Sequence, residues 1–422
     1  MKLMHVADLH LDSPFVGLSK QHPAMQQYLI KAPYQAFERC VSIAINQAVD
    51  VFVIVGDVYD SERQTIYAQH FFIEQLRRLQ KADIPVVLSH GNHDYLDLER
   101  KPVAYPDNVY LFDSGDVVSK DLSLKSGETV RFYGFSYTKR WVNDRKIEQF
   151  PNNPSDTTYT IGCLHGAIDA KQTEKGNYAP FSVEELKAKG YDYWALGHIH
   201  QAEILSEVPL VQYSGTIQGR HRHELGDKGA FLVEIKPNQP IKNQFISLAS
   251  IVWQQAEIDC RSEWQASELI QQATQVLHNY QAESEASQQS YLITLVLNNA
   301  QRLSFELQEQ IDCGELLLAL SESVHDTPFV VITKIIQQRH IVGEPFEYDV
   351  ALKDSFAAAS IELEEGDLYQ RIMADLFQHS TMKQWLSDFA KDEQLKEQLN
   401  ISAKQLMIQS IGFETEEVDH ED

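Results

Sequence analysis

Five short polar clusters carry the residue types from which a metal centre is built. They are Asp8-x-His10, Gly56-Asp57, Gly91-Asn92-His93-Asp94, His165-Gly166 and Gly197-His198-Ile199-His200. Aspartate and asparagine offer hard oxygen ligands, and neutral imidazole offers nitrogen. That mixture suits manganese, iron or zinc better than calcium, and no thiolate stands among the clusters. One carboxylate can bond two cations, so an aspartate is the natural bridge of a two-metal site. The chemistry of such a site is displacement at a phosphoryl group. Glycines beside Asp57, Asn92, His165 and His198 permit sharp turns and close approach of backbone to an anion.

A lone D-x-H or G-D carries no weight, and histidines two apart also occur on ordinary strands. The information lies in order and placement. Each cluster follows a short apolar run: LMHVA, VFVIV, PVVLSH, TIGCL and YWAL in turn. If those runs are adjacent strands, all five clusters converge on one edge of a sheet. Of the 16 histidines, most lie at or before His223.

The elements that must hold these clusters alternate strand and helix. Residues 3–7 read as a strand. Residues 34–49 read as a helix with Phe37, Val41, Ala44, Ile45 and Ala48 on one face. Residues 51–55 are β-branched and apolar throughout, as a buried central strand should be. Residues 61–79 form a second helix, striped by Phe72, Leu76 and Leu79. Strands follow at 85–88, 158–164 and 193–196, which makes an α/β sheet core. Strands at 210–213, 230–235 and 244–248 come next, punctuated by Pro237 and Pro240. A smaller α/β unit begins after about residue 249. There Ser262 and Gln265 suggest a capping box before a helix carrying Leu269, Ala273, Val276 and Tyr280. Residues 290–297 and 329–336 are strand-like. The last part reads as helical, with Asp367 capping Leu368, Ile372 and Leu376, and a further cluster at Trp385, Leu386 and Phe389. Residues 414–422 form a mostly acidic, solvated end.

Composition sets the outer limits. A chain of 422 residues and 48.3 kDa predicts two or three domains. Hydrophobic residues at 43% and charged residues at 23% exclude a disordered chain, a collagen and a disulfide miniprotein. The apolar runs are far too short to span a bilayer, and the N-terminus turns polar too soon for a signal-peptide core. Cys40, Cys163, Cys260 and Cys313 are scattered, without a CxxC, and fit reduced thiols in a cytoplasmic protein. A net charge of −25 argues against an unaided basic nucleic-acid binder. It leaves room for an enzyme that takes DNA into a local, metal-charged cleft.

The order D-x-H, G-D, G-N-H-D, H, G-H-x-H resembles that of the calcineurin-like metallophosphoesterases. The opening HVADLHLDSPF, with Tyr213-Ser214-Gly215-Thr216 and Gln218-Gly219-Arg220-His221, looks closer to the SbcD/YhaO-like branch of DNA repair exonucleases. The resemblance is strong from residue 1 to about 235. Ser214 stands where the family commonly has proline, so the loop near the cleft differs there. The resemblance implies an α/β, four-layer metallophosphoesterase β-sandwich flanked by helices. A small α/β cap domain and a helical C-terminal region would follow. Residues 1–248 would be the nuclease domain, 249–340 the cap, and 341–422 the helical region, docking an ATPase partner.

It also implies roles. One metal would be held by Asp8, His10, Asp57 and His200, and the second by Asp57, Asn92, His165 and His198. His93 would be the catalytic histidine, its ring oriented by Asp94. The cofactor would be two divalent ions, Mn²⁺ first, with Fe or Zn as alternatives. The activity would be 3′–5′ exonuclease cleavage of DNA, with O3′ as the leaving atom. A SbcC/YhaN-like coiled-coil ATPase would supply much of the DNA grip, and a homodimer is the family expectation. Arg220 and His221 are candidates for lining the substrate cleft, the alternative being a surface loop paired with Glu224 and Asp227. Lys139-Arg140-Trp141 combines charge with an aromatic and reads as a solvated loop or a strand contact. His5 and His90 read as core or supporting residues, and Asp12 and Asp60 as caps or turns. Two other readings stay open: a small-molecule or cyclic-nucleotide phosphodiesterase or phosphatase of the same fold, and a non-catalytic scaffold for an ATPase.

Overall fold

Short β-branched runs separated by amphipathic helices build the first half of the chain. In the computed structural model, residues 1–13, 23–61, 64–96, 104–169, 178–237, 239–320, 327–339 and 350–365 are described, with Ala374 and Ala403 as isolated positions. The elements run β1 (Lys2–Val6), α1 (Pro23–Asn46), β2 (Val51–Val55), α2 (Ile66–Lys81), β3 (Val86–Ser89) and β4 (Val109–Leu111). They continue with β5 (Val118–Ser123), β6 (Thr129–Gly134), β7 (Tyr159–His165), α3 (Val183–Ala188), β8 (Tyr193–Gly197), β9 (Glu203–Glu207), β10 (Leu210–Tyr213), β11 (Gly229–Glu234) and β12 (Lys242–Ser247).

These strands form two six-stranded sheets, ordered β12-β11-β1-β2-β3-β4 and β5-β6-β7-β8-β10-β9. Neighbours from β1 to β4 are parallel, as are β6-β7-β8 and β8-β10. The sheets face each other across Leu3, Val51, Val53 and Val55 on one side and Val130, Phe132, Ile161 and Tyr193 on the other. The outer face of the first sheet, with Phe52 and Ile54, lies under Phe37 and Val41 of α1 and Phe72 and Leu76 of α2. The outer face of the second, with Trp194 and Leu196, lies under Phe150, Phe181 and Leu186. The result is a helix–sheet–sheet–helix stack. It explains why VFVIV is apolar at every position: both faces of β2 are covered. Each fully buried Val, Ile or Phe in these layers contributes about 1.5–3 kcal/mol.

One expectation is corrected here. The five clusters do not sit on one sheet edge. β1, β2 and β3 belong to the first sheet and β7 and β8 to the second. A strand apolar on both faces says that something covers it, but not which sheet it joins.

Helix boundaries differ for identifiable reasons. α1 starts eleven residues earlier than its stripe predicts, because Met25, Leu29 and Ala32 pack on a separate cluster with Ile251, Trp253, Leu292 and Phe329. That partner surface is invisible from local sequence. α1 stops at Asn46 because Ala48 turns left-handed (φ 48°) and Val49 N–H bonds back to Ala44 O at 3.2 Å. α2 begins at Ile66, where the Thr65 side chain accepts from Ala68 N–H at 3.2 Å.

Beyond the two sheets, β13 (Ile251–Asp259), α4 (Ala266–Ser287), β14 (Ser290–Asn298), α5 (Phe305–Asp312), α6 (Glu315–Ala319) and β15 (Val330–Gln337) form a three-stranded parallel sheet with helical crossovers. Here the cap of α4 falls at Gln265, whose N–H donates to Glu268 at 3.0 Å. β13 escapes sequence reading because its second half alternates polar residues along a sheet edge. Cys40, Cys163 and Cys260 are buried free thiols, and Cys313 is exposed.

Contacts divide the chain into two compact units. The first comprises Met1–Asn298 with Arg302–Gln337, so it holds all three sheets. The second comprises Asn299–Gln301 with Gln338–Asp422, and its described helix is α7 (Val350–Glu365). The expected features at Asp367, Trp385 and residues 414–422 lie outside the described residues. Among the described residues, no helix is long and apolar enough to cross a membrane.

Candidate metal centre

The C-terminal ends of β1, β2, β3, β7 and β8 carry the five clusters. Backbone bonds sew the loop after β1 to the loop after β2: Asp8 N–H to Gly56 O and His10 N–H to Asp57 O, both at 3.1 Å. The loops are held in an uncommon conformation. Asp8, His10, Asp57 and His198 have φ of 50°, 44°, 49° and 99°. Left-handed backbone at non-glycine residues costs on the order of 1–3 kcal/mol each and gathers at functional sites. Here it turns successive side chains toward one point.

Two groups result. Asp8, His10 and His200 bring their ligand atoms within 4.8 Å of one another, and so do Asp57, His165 and His198. Asn92 joins the second group: its Oδ1 lies 3.0 Å from both His165 Nε2 and His198 Nδ1. Asp57 stands between the groups. Its Oδ2 is 3.4 Å from His165 Nε2 and 3.9 Å from His10 Nε2. The structure therefore brings together all seven residues singled out as ligands. Asp8, His10, Asp57, Asn92 and His165 are buried, and His198 and His200 are half-buried.

The donor set fits two divalent ions. His10 Nε2 and His200 Nε2 face each other at 3.1 Å, while their opposite nitrogens face carboxylates. His10 Nδ1 is 3.3 Å from Asp60 Oδ1, and His200 Nδ1 is 2.8 Å from Glu224 Oε1. His165 Nδ1 lies 3.0 Å from Val55 O. These outer contacts fix each of the three rings with its opposite nitrogen toward the centre, the orientation that a metal ligand needs. A methyl group at Gly91 would overlap Asp57 Oδ1 and His165 Nε2, so only glycine fits there.

His93 lies beside this centre, its ring edge-on to His10 at 5.0 Å. Its N–H donates to Asp57 Oδ1 at 2.9 Å, and its Nδ1 lies 2.8 Å from Asp60 O. The carbonyl of Asp60, not Asp94, orients the ring. The Asp94 carboxylate is turned away, accepting from Val58 N–H and Gly91 N–H at 2.9 and 2.8 Å and meeting His90 Nδ1 at 3.1 Å. It shapes the loop that carries Asn92 and His93.

Of the two places open to Arg220, the structure shows the one paired with Glu224. Its guanidinium is taken up by Asp60 at 2.6 Å and Glu224 at 3.1 Å instead of facing a cleft. His221 is exposed on the rim. Asp60 and Glu224 are the residues sequence reasoning undervalued; a carboxylate three residues after Asp57 was the one available signal. His5 is core: its ring meets Tyr193 OH at 2.7 Å between the sheets, and burial lowers its pKa to about 3. Asp12 accepts from Thr65 N–H at 2.9 Å ahead of α2. Arg140 and Trp141 are exposed, and Trp141 continues a ring series inward: 5.3 Å to Tyr178, then 4.3 Å to His198.

Charge is finely placed. Burial, then the Arg220 charge, lowers the His10 pKa to about 3. Burial, then the charge on His165, does the same to His198, also to about 3. For His165 burial works downward, but the Asp57 carboxylate outweighs it and lifts the ring to about 9. Burial raises Asp8; it also opposes the charge on Asp57, but His165 prevails and holds that carboxyl well below the ordinary range. Glu224 is held low in the same manner, by His200 and Arg220 against burial.

A cation at the second group must therefore displace the His165 proton. Its affinity is expected to rise with pH, up to ~10-fold per unit below about 9, and then level off. Competition with a calibrated chelator at pH 6.5, 7.5 and 8.5 checks this. A flat profile would mean that no proton is displaced.

Residues 1–202 match the calcineurin-like phosphoesterase family. The chain is 34% identical over 260 residues to the uncharacterized metallophosphoesterase YhaO of Bacillus subtilis, covering 61% of this chain and 63% of that protein. It is 27% identical over 252 residues to the DNA double-strand break repair protein Mre11 of Sulfolobus acidocaldarius, covering 58% and 63%. The protein of the same name from Sulfurisphaera tokodaii is 25% identical over 251 residues, covering 57% and 61%. The chain thus spans about six-tenths of the length of these curated relatives.

Proposed function

We propose that this chain, whose residues 1–202 are a calcineurin-like phosphoesterase domain, is a dinuclear-metal DNA phosphodiesterase cutting from 3′ ends. Asp8, His10, Asp57 and His200 would hold one ion, and Asp57, Asn92, His165 and His198 the other. Two divalent cations, when bound, offset the charge of the phosphoryl oxygens and make water acidic enough to act as nucleophile at neutral pH. Mn²⁺ suits this donor set better than Mg²⁺, because nitrogen ligands disfavour magnesium.

The chain's own residues do the rest. Asp57 would be shared by both ions and, through the backbone N–H of His93, fixes the loop that carries the proton donor. With Nδ1 engaged by the Asp60 carbonyl, a protonated His93 presents Nε2–H to the leaving oxygen. Water oxygen bonds to phosphorus and gives up a proton to solvent, the bond to O3′ breaks, and O3′ takes the proton of His93.

One observation favours nucleic acid over a small phosphoester. The rings of His198, Tyr178 and Trp141 step outward from the centre, with Arg140 5.5 Å above Trp141. Such a shelf suits a nucleobase attached to the scissile phosphate. The archaeal relatives are named for DNA break repair, which agrees with this reading. In it, residues 1–248 carry the chemistry and 249–340 form the cap. Residues 341–422 dock a SbcC/YhaN-like ATPase, which supplies the positive surface that a chain of −25 lacks.

The test is DNA labelled at one 5′ end, incubated with the chain and Mn²⁺. Progressive shortening from 3′ ends, abolished by chelator, is expected. No cleavage by a sample holding two ions, with small diesters still hydrolysed, would move the activity to small molecules.

A further inference from the structure

Arg220 lies behind the centre, with its side chain only 13% exposed. One guanidinium nitrogen donates to Asp60 Oδ1 at 2.6 Å, and the other donates to Glu224 Oε1 at 3.1 Å while lying 3.0 Å from His200 Nδ1 itself. Those two carboxylates are the ones that face His10 Nδ1 and His200 Nδ1. The Arg220 N–H also donates to Glu224 Oε2 at 2.7 Å. A single planar cation thus spans the outer partners of both histidines of one ion site. No comparable cation stands behind His165 or His198 among the described residues; His165 Nδ1 meets a backbone carbonyl.

The segment bearing Arg220 is itself fixed from the other side. Trp253 of β13 donates its Nε1–H to Gly219 O at 3.1 Å, and Gly226 N–H donates to Trp253 O at 2.9 Å. Gln218 Oε1 accepts from Ser250 N–H at 3.1 Å. Arg220 is therefore built into the fold and not free to swing toward a substrate.

We infer that Arg220 is a positioning residue for the ion site formed by Asp8, His10 and His200. It fixes Asp60 and Glu224 so that both imidazoles turn Nε2 inward. This rests on the dinuclear reading above and adds a distinction between the two ion sites. A guanidinium holds two carboxylates at a fixed separation, which an ammonium cannot do.

The experiment is Mn²⁺ binding to the full chain by calorimetry, with electron paramagnetic resonance to detect coupled ions. Circular dichroism in chelator reports the fold. Arg220→Met is expected to weaken one of two ions by ~10–100-fold, leave the other unchanged and abolish the coupled signal. Arg220→Lys should recover part of the loss. Glu224→Gln, a gentler change should Arg220→Met fold poorly, should show the same one-site weakening. Two ions at wild-type affinity with a raised KM for DNA would make Arg220 a substrate contact and overturn the inference. Equal weakening of both ions would overturn it too. A wild-type chain that takes only one ion would sink the dinuclear reading along with it.

Discussion

Asp57→Asn is expected to leave the chain with less than one tightly held ion and to reduce phosphodiester hydrolysis by at least ~10³-fold. The substitution keeps the shape and one acceptor oxygen but removes the charge. Asp57 Oδ2 faces His165 at 3.4 Å and His10 at 3.9 Å, so both ion positions lose their shared carboxylate at once. The same change removes the reason for the raised His165 pKa. Burial then works unopposed by Asp57, the ring loses its proton, and the pH dependence of residual metal binding should flatten. Metal analysis by mass spectrometry and chelator competition at three pH values would check both halves. Retention of two ions would show that Asp57 does not bridge. Loss of metal with an unchanged pH slope would detach His165 from Asp57.

How far such a site can be read without coordinates depends on which forces are local. The gathering of Asp8, His10, Asp57, Asn92, His165, His198 and His200 was legible because such a group must sit at a strand end beside a residue that can turn. Both conditions leave marks within a few positions. The parallel strands were legible for the same reason, since a strand covered on both faces must be apolar throughout. The partition into two sheets was not, because VFVIV and TIGCL look alike whichever partner covers them. The first half of α1 was hidden because its stripe answers to Trp253 and Phe329, more than two hundred residues away. RHRHE left Arg220 open between a cleft and the Glu224 pairing it makes, and Asp60 was misread as a turn or cap. Only the fold reveals that Asp60 lies within 2.6 Å of that arginine.

The centre is also held tightly by its surroundings. His165 rests against Gly56 and Gly197, where an added methyl would overlap its ring. The left-handed turns at Asp8 and Asp57 are locked by mutual backbone bonds.

His93→Gln should separate binding from chemistry. The ring is no nearer than an edge contact to His10, and its Nδ1 is occupied by the Asp60 carbonyl. The variant is therefore expected to hold two ions as tightly as the wild type. Loss of general-acid help lowers turnover by roughly 10²–10⁴-fold when the leaving group is a sugar hydroxyl. A p-nitrophenolate leaving group needs no proton, so hydrolysis of bis-p-nitrophenyl phosphate should fall only a few-fold. The contrast between the two substrates is the diagnostic quantity. Equal losses on both would place His93 against the phosphoryl oxygens, where its charge would aid every leaving group alike. Loss of an ion would make it a ligand, and the assignment of the other seven residues would have to be redrawn around it.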